Sequence, residues 1–176
     1  MNIIKSYKEL RFSIGIIGMV LPFLLILWII LSGQDIPKSI SCTYYTNGRD
    51  LLVGSLSAVA LFMFFYNGYN KFENWLGNLA AIFSLGVAFI PCDSELRILH
   101  LISAALLFTV FAIFCLQFAK GGNRLFYYSS FSVIILSMIA LVFIGNEYKH
   151  SIYILETIML ETFGLSWLIK SKKLIK

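Results

Sequence analysis

The residues able to do chemistry are few, and most fall at the ends of long apolar runs. Glu156 and Glu161 differ in lying inside the last run, 152–169. An ionisable side chain in a membrane span costs at least about 2.5–3.5 kcal/mol on insertion scales, so it faces the bundle interior or water. At about 100° per residue the two carboxyls point about 140° apart, which is not the geometry of an acid/base dyad. Glu161 shares a face with Thr157 and Gly164, at i−4 and i+3, and lies at the depth of Ser137 in the preceding run. Its two readings are a neutral carboxyl hydrogen-bonded to a neighbour such as Ser137, and a proton relay or substrate contact.

A second group collects at the outer ends of the even-numbered runs. Arg49 and Asp50 open the second run, Arg97, His100 and Ser103 line one face of the fourth, and Glu156 stands about one turn into the sixth. Such a set can hold a lipid headgroup or a metal in a polar pocket. The alternative is a helix cap at Asp50 with interfacial charges pairing among themselves. A lone helix-face imidazole such as His100 is more often a hydrogen-bonded interface residue than a base, and His150, in a short loop, carries less still. The chain lacks a Gly-rich phosphate cradle, a nucleophile elbow, an HExxH pair and any CxxC or Cys/His zinc spacing. Neither a catalytic residue nor a cofactor is therefore assigned. Cys115 reads as a small core residue. Cys42 and Cys92 both map to the outer side, where an oxidising compartment permits a disulfide. Pairing requires Cα atoms within about 4.4–6.8 Å, so bridged and free forms both stay open.

Holding these residues requires a scaffold, and composition names its class. The 176 residues are 59% hydrophobic and 13% charged, with a mean hydropathy of +0.85, against about 25% charged in a soluble domain. A soluble fold of this size has no interior large enough for that apolar surface. The net charge of +5 is spread between the runs, which excludes nucleic-acid binding and disorder as readings. A span needs about 20 apolar residues. Six segments qualify: 12–33, 51–66, 75–91, 98–118, 125–145 and 152–169. They are apolar on all sides, unlike the alternating strands of a barrel, so the expected fold is an all-α, six-span transmembrane bundle forming one domain. The first run is too long for a signal-peptide core and lacks a small-x-small cleavage site after it.

Ten Lys and Arg fall on one side (Lys5, Lys8, Arg11, Lys71, Lys120, Arg124, Lys170, Lys172, Lys173, Lys176) and four on the other (Lys38, Arg49, Arg97, Lys149). That bias places both termini in the cytoplasm, and the Lys-rich stretch 170–176 reads either as part of that signal or as a contact with anionic lipid. Trp28, Tyr44, Tyr45, Tyr148 and Tyr153 form the expected outer aromatic belt, and Tyr66, Tyr69, Trp75, Tyr127, Tyr128 and Trp167 the inner one. Connections are short except for 34–49, a loop long enough to fold over the bundle mouth. Small residues predict the tightest packing between the second and third spans: Gly54, Ser57, Ala58 and Ala60 against Gly77, Ala81, Ser84 and Ala88.

The stretches Ser39-Ile40-Ser41, Tyr44-Tyr45-Thr46, Arg49 to Gly54, Tyr66-Asn67-Gly68-Tyr69, Gly77-Asn78-Leu79-Ala80 and Gly86-Val87-Ala88 together resemble a group of small, uncharacterised bacterial six-span membrane proteins. The likeness extends to Glu156 and Phe163 to Trp167, and so covers about half of the chain. It implies a fold and a bacterial inner membrane, without an activity. Some such proteins are distantly similar to alkaline-ceramidase-like membrane hydrolases, whose zinc site draws on several His, an Asp and a Ser. This chain has two His and no HxxxH, so it departs from that ligand set. The expected function is a non-enzymatic membrane protein with an outward-facing polar pocket, built on Arg49, Asp50, Arg97, His100, Glu156 and, deeper, Glu161. Its partners would be membrane lipids, a small ligand or another membrane protein. Proton-coupled transport through Glu161 is the alternative, followed by a membrane-embedded lipid hydrolase and by a protein that occupies a partner's helix.

Overall fold

A computed structural model describes residues 3–145 and 147–172, with side chains from residue 9 to residue 171. Lys173 and Lys176 lie outside the described residues. The described chain is all α: α1 (Ile3–Leu31), α2 (Arg49–Phe64), α3 (Lys71–Phe89), α4 (Arg97–Ala119), α5 (Arg124–Ile144) and α6 (Ser151–Lys172), with a short 3₁₀ turn at Ser41–Tyr45. Four of these, α1, α4, α5 and α6, are long and apolar enough to cross a membrane. The other two are shorter: at 16 and 19 residues, α2 and α3 rise about 24 and 28 Å, against an apolar core of about 30 Å.

Helix ends depart from the expected spans for local reasons. Helix α1 starts at Ile3 rather than near residue 12, because nothing in Lys5 to Arg11 breaks a helix. Helix α3 starts at Lys71, four residues earlier than expected, because the Asn70 side chain accepts from the Glu73 N–H at 2.9 Å and caps it. Helix α2 ends at Phe64, leaving Tyr66 outside it.

Consecutive helices pack on one another, α1 closes on α6, and α4 also touches α6. The last contact puts α5 outside, in the groove between α4 and α6. Burial agrees, since half of the apolar window of α4 is buried but only 22% of that of α5. The outward faces are strongly apolar: Phe23, Leu27 and Ile30 of α1, Phe89 of α3 and Leu136, Val142 and Phe143 of α5 are all exposed. A girdle of that extent suits lipid rather than water.

The small-residue expectation holds for α3. A Cβ on Gly77 would lie 2.8 Å from the Met63 carbonyl oxygen, and Ser84 Oγ donates to Leu56 O at 3.1 Å. It fails for Gly54, which is exposed and has nothing within 4 Å of a Cβ position. An equally close approach occurs where α1 crosses α6. A Cβ on Gly164 would lie 2.7 Å from Met19 Cγ and 3.2 Å from Gly15 O.

The inner half of the core is aromatic. Phe111 and Phe163 stack at 3.8 Å between centroids, and Phe114, Phe118, Tyr66, Tyr127 and Trp167 surround them edge-on or tilted. Tyr66, Tyr127 and Trp167 are therefore core residues, not members of an inner interfacial belt. The reason is registry: Trp167 lies at i+4 from Phe163, on the inward stripe of α6. Tyr69, Trp75 and Tyr128 are exposed, as a belt requires. At the outer end Trp28, Tyr45 and Tyr148 are exposed, whereas Tyr153 is buried and its hydroxyl donates to Pro22 O at 2.8 Å.

Candidate functional site

The outer end is closed by a strap, 34–48. Gly33, at φ 69°, turns the chain out of α1: its N–H and that of Gln34 return to Ile30 O and Ile29 O, a Schellman-type ending that favours glycine. The strap is then stitched down on three sides. The Tyr153 N–H donates to Lys38 O at 3.0 Å, and the Ile40 N–H donates to Glu156 Oε2 at 2.6 Å, fixing it to α6. Lys38 Nζ meets Asp93 Oδ1 at 3.1 Å, and Cys42 is joined to Cys92 with Cα atoms 5.7 Å apart, fixing it to the α3–α4 connection. Trp28 Nε1 donates to Asn47 O at 3.1 Å, fixing it to α1. Both outer sulfurs are consumed in the bridge, so Cys42, Cys92 and the adjacent Asp93 do not form an open thiolate metal site.

Beneath the strap lies an axial cavity of about 40 Å³, walled by Leu21, Ile40, Ser41, Leu52, Leu56, Val87, Leu107 and Glu156 among others. About 10–15 Å³ suffices for one water. A second space of about 30 Å³ continues below it past Leu21, Leu56, Leu107 and Leu160 and reaches Phe111 and Phe163. Its walls come from α1, α2, α3, α4 and α6, consistent with α5 lying outside. Glu156 is the one carboxylate in either wall.

The other residues of the expected outward pocket go elsewhere. His100 is buried, with Nδ1 2.6 Å from Ile90 O, so its ring N–H ties α4 to the last residue of the α3 ending. Arg49 is exposed; it donates to the Tyr44 hydroxyl at 2.7 Å and lies 4.3 Å over that ring. Asp50 is exposed in the first turn of α2, where the cap position is Gly48 and no side chain caps the helix, so the expected Asp50 cap is absent. Arg97 is exposed at the start of α4. Ser103 Oγ donates within its own helix, to Leu99 O. Glu161 lines neither axial space, and its Oε1 is buried without a hydrogen-bond partner among the described residues, so the expected Ser137 bond to that oxygen is not made.

The inner end holds an arrangement that sequence reasoning missed, having taken Arg11 as an orientation charge and Lys170 as part of a Lys-rich end that orients the chain or touches anionic lipid. Arg11, Glu73 and Lys170 are each at least 94% buried. The Arg11 guanidinium lies 4.9, 5.6 and 5.4 Å from the centroids of Tyr66, Tyr69 and Trp167, and Trp167 Nε1 donates to Arg11 O at 2.8 Å. Glu73 Oε2 accepts from the Tyr66 hydroxyl at 3.2 Å and the Tyr69 N–H at 3.0 Å. Lys170 Nζ lies 4.8 Å from the Tyr69 centroid and 5.4 Å from that of Phe118. Beside them opens a cleft of about 520 Å³ lined by Tyr69, Asn70, Glu73, Gln117, Lys120, Gly121 and Lys170. The available signal was helical spacing: Lys170 follows Trp167 at i+3 and Arg11 precedes Gly15 at i+4, both on the α1–α6 seam.

No protein-family model, curated protein or solved structure matches this chain. Its chemistry is therefore read from geometry alone. The outer end offers a closed apolar space with one carboxylate at its rim. The inner end offers a wide polar cleft with two lysines in its wall, of which Lys170 is held against aromatic faces.

Proposed function

We propose that this chain is a bundle crossing the bacterial inner membrane six times, with both termini in the cytoplasm, that binds a ligand rather than converting one. Support for the topology comes from the ten-against-four distribution of cations and from the presence of Arg11, Lys120 and Lys170 at one end and the disulfide-held strap at the other. Helices α2 and α3 complete the crossing with modest local thinning of the bilayer, at fractions of a kcal/mol per Å. The site is the axial cavity, reached from outside at Glu156, and the ligand is a lipid chain, a small apolar molecule or the side chain of a membrane partner. One observation carries this reading: a space walled by five helices remains open under the strap, and the one carboxylate in its wall is spent on a backbone N–H of that strap. Glu156 releases Ile40 and turns to the ligand's polar end, while exposed Arg49, Asp50 and Arg97 form the rim.

The test is native mass spectrometry of the full chain released from nanodiscs, comparing wild type with Leu107→Trp, which fills the cavity, and with Glu156→Gln. Wild type retains a bound lipid or small molecule, and Leu107→Trp loses it. Equal retention in the folded variant, or none in wild type, refutes the reading. A second reading has its own support in Glu161, whose buried Oε1 lacks a donor among the described residues. Proton-coupled transport through Glu161 requires the Phe111–Phe163 stack to part, and predicts pH-dependent flux in liposomes that Glu161→Gln abolishes.

A further inference from the structure

The cleft at the inner end is far larger than the axial spaces, is polar, and takes no part in the function proposed above. We infer that it is a phosphate-binding site, taking the phosphate of an anionic phospholipid of the adjacent leaflet or a soluble phosphate compound. Four observations carry this. Lys170 lines the cleft, is 6% exposed, and has its ammonium held against the Tyr69 and Phe118 rings, so it cannot swing away as a surface lysine does. That ammonium also sits close against the α4–α5 turn: a Cβ at Gly121 would lie 3.1 Å from Nζ. Lys120 brings a second, exposed cation to the cleft, steadied by Gln117 Oε1 at 2.9 Å. The single acid in the wall, Glu73, already has Oε2 occupied by the Tyr66 hydroxyl and the Tyr69 N–H, and the Arg11 guanidinium lies over the same two rings. Two lysines therefore stand against one hydrogen-bonded carboxylate, and the balance of charge in the cleft wall is positive.

Phosphate fits this donor set better than carboxylate or halide. Two ammonium groups act as point charges, and the Gln117 and Asn70 side chains in the same wall add amide donors for the remaining oxygens of a tetrahedral anion. Basic pockets between helix ends are where anionic headgroups dock on membrane proteins. The inner end is also where the proposed topology puts the lipid phosphates, so the lipid source, though not the phosphate chemistry, rests on that topology.

The experiment measures binding to the full chain in detergent, by native mass spectrometry and thermal shift, with phosphatidylglycerol, phosphatidylcholine and inorganic phosphate as separate probes. Lys120→Gln changes an exposed residue and keeps the fold; Lys170→Gln is the second variant, accepted only if its circular dichroism matches wild type. Phosphatidylglycerol is expected to be retained over phosphatidylcholine, and each lysine substitution to weaken it about fivefold, the loss for one cation beside an anionic surface. A lysine-dependent shift with inorganic phosphate but not with phosphatidylglycerol supports the site with a soluble ligand. Equal retention of both lipids with no phosphate shift, or binding of neither phosphatidylglycerol nor inorganic phosphate weakened in Lys120→Gln, overturns it. Leu107→Trp leaves this binding intact, so its outcome is separate from that of the axial cavity.

Discussion

Removing the outer disulfide, by Cys42→Ser, tests whether the strap is held by a covalent bond or by its polar contacts. The bridge spans a sequence separation of 50. If the unfolded chain were a free coil, chain entropy would assign it about 4 kcal/mol. A membrane chain unfolds with much of its helix retained, and α2 and α3 run antiparallel, so they already return residue 92 towards residue 42. The freedom that the bridge removes then belongs to about ten connecting residues, for which the same relation gives about 3 kcal/mol. Four polar ties survive in the variant, Ile40 N–H to Glu156, Tyr153 N–H to Lys38 O, Lys38 to Asp93 and Trp28 to Asn47 O, so it stays folded. The expected result is a Tm lower by about 6–12 °C, at about 2–4 °C per kcal/mol for this size. Exchange of the Ile40 amide should rise by about two decades if the lost stability falls wholly on local opening of the strap. Hydrogen exchange and thermal melts, each with and without reductant, read both quantities. An unchanged melt with unchanged Ile40 protection would show that the polar ties alone fix the strap. Maleimide labelling of Cys42 and Cys92 in the unreduced wild type would show that the bond is not there.

Two glycines on the α2–α3 hairpin should respond in opposite directions. Gly77→Ala drives a methyl into the Met63 carbonyl and should cost about 1–3 kcal/mol, whereas Gly54→Ala meets open space and should gain about 0.5–1 kcal/mol from helix propensity, both read from thermal melts. Phe163→Ala removes one half of the ring stack and should cost about 3–5 kcal/mol, with a new cavity open to xenon; a loss below 1 kcal/mol would mean that the inner core is not close-packed. In a chain with its native cysteines removed, Gln34→Cys should react with an impermeant maleimide from outside intact cells and Gly122→Cys only after permeabilisation. The reverse pattern would invert the proposed topology.

The all-α class and the presence of several membrane helices were legible because lipid leaves a chain no other way to satisfy its backbone within long apolar runs. Helix ends were less legible. Asn70-x-x-Glu73 carried a readable capping signal, but the extension of α1 back to Ile3 depends on the absence of any breaker, which hydropathy does not register. The outer site was read from depth alone, and depth does not distinguish a side chain facing an axial cavity from one capping a neighbour. Glu156 and His100 share an outer level, yet one lines the cavity and the other binds the end of α3. Angle about the helix axis separates them, and a sequence supplies that angle only relative to its own helix.

The two ends of the bundle are closed by different physics, and this bears on any passage through it. At the outer end a covalent bridge and a few hydrogen bonds hold a strap whose removal exposes apolar space directly. At the inner end closure is distributed over the Phe111–Phe163 stack, five further aromatic rings and two buried cations, so no single contact acts as a latch. Opening the outer end breaks a small number of local contacts, whereas opening the inner end disrupts a close-packed cluster in which each large ring truncated costs about 3–5 kcal/mol. A molecule entering at Glu156 therefore meets a floor rather than a channel. That asymmetry favours reversible occupancy from one side over transport, and on the proposed topology it leaves the inner cleft as an independent surface facing the opposite leaflet.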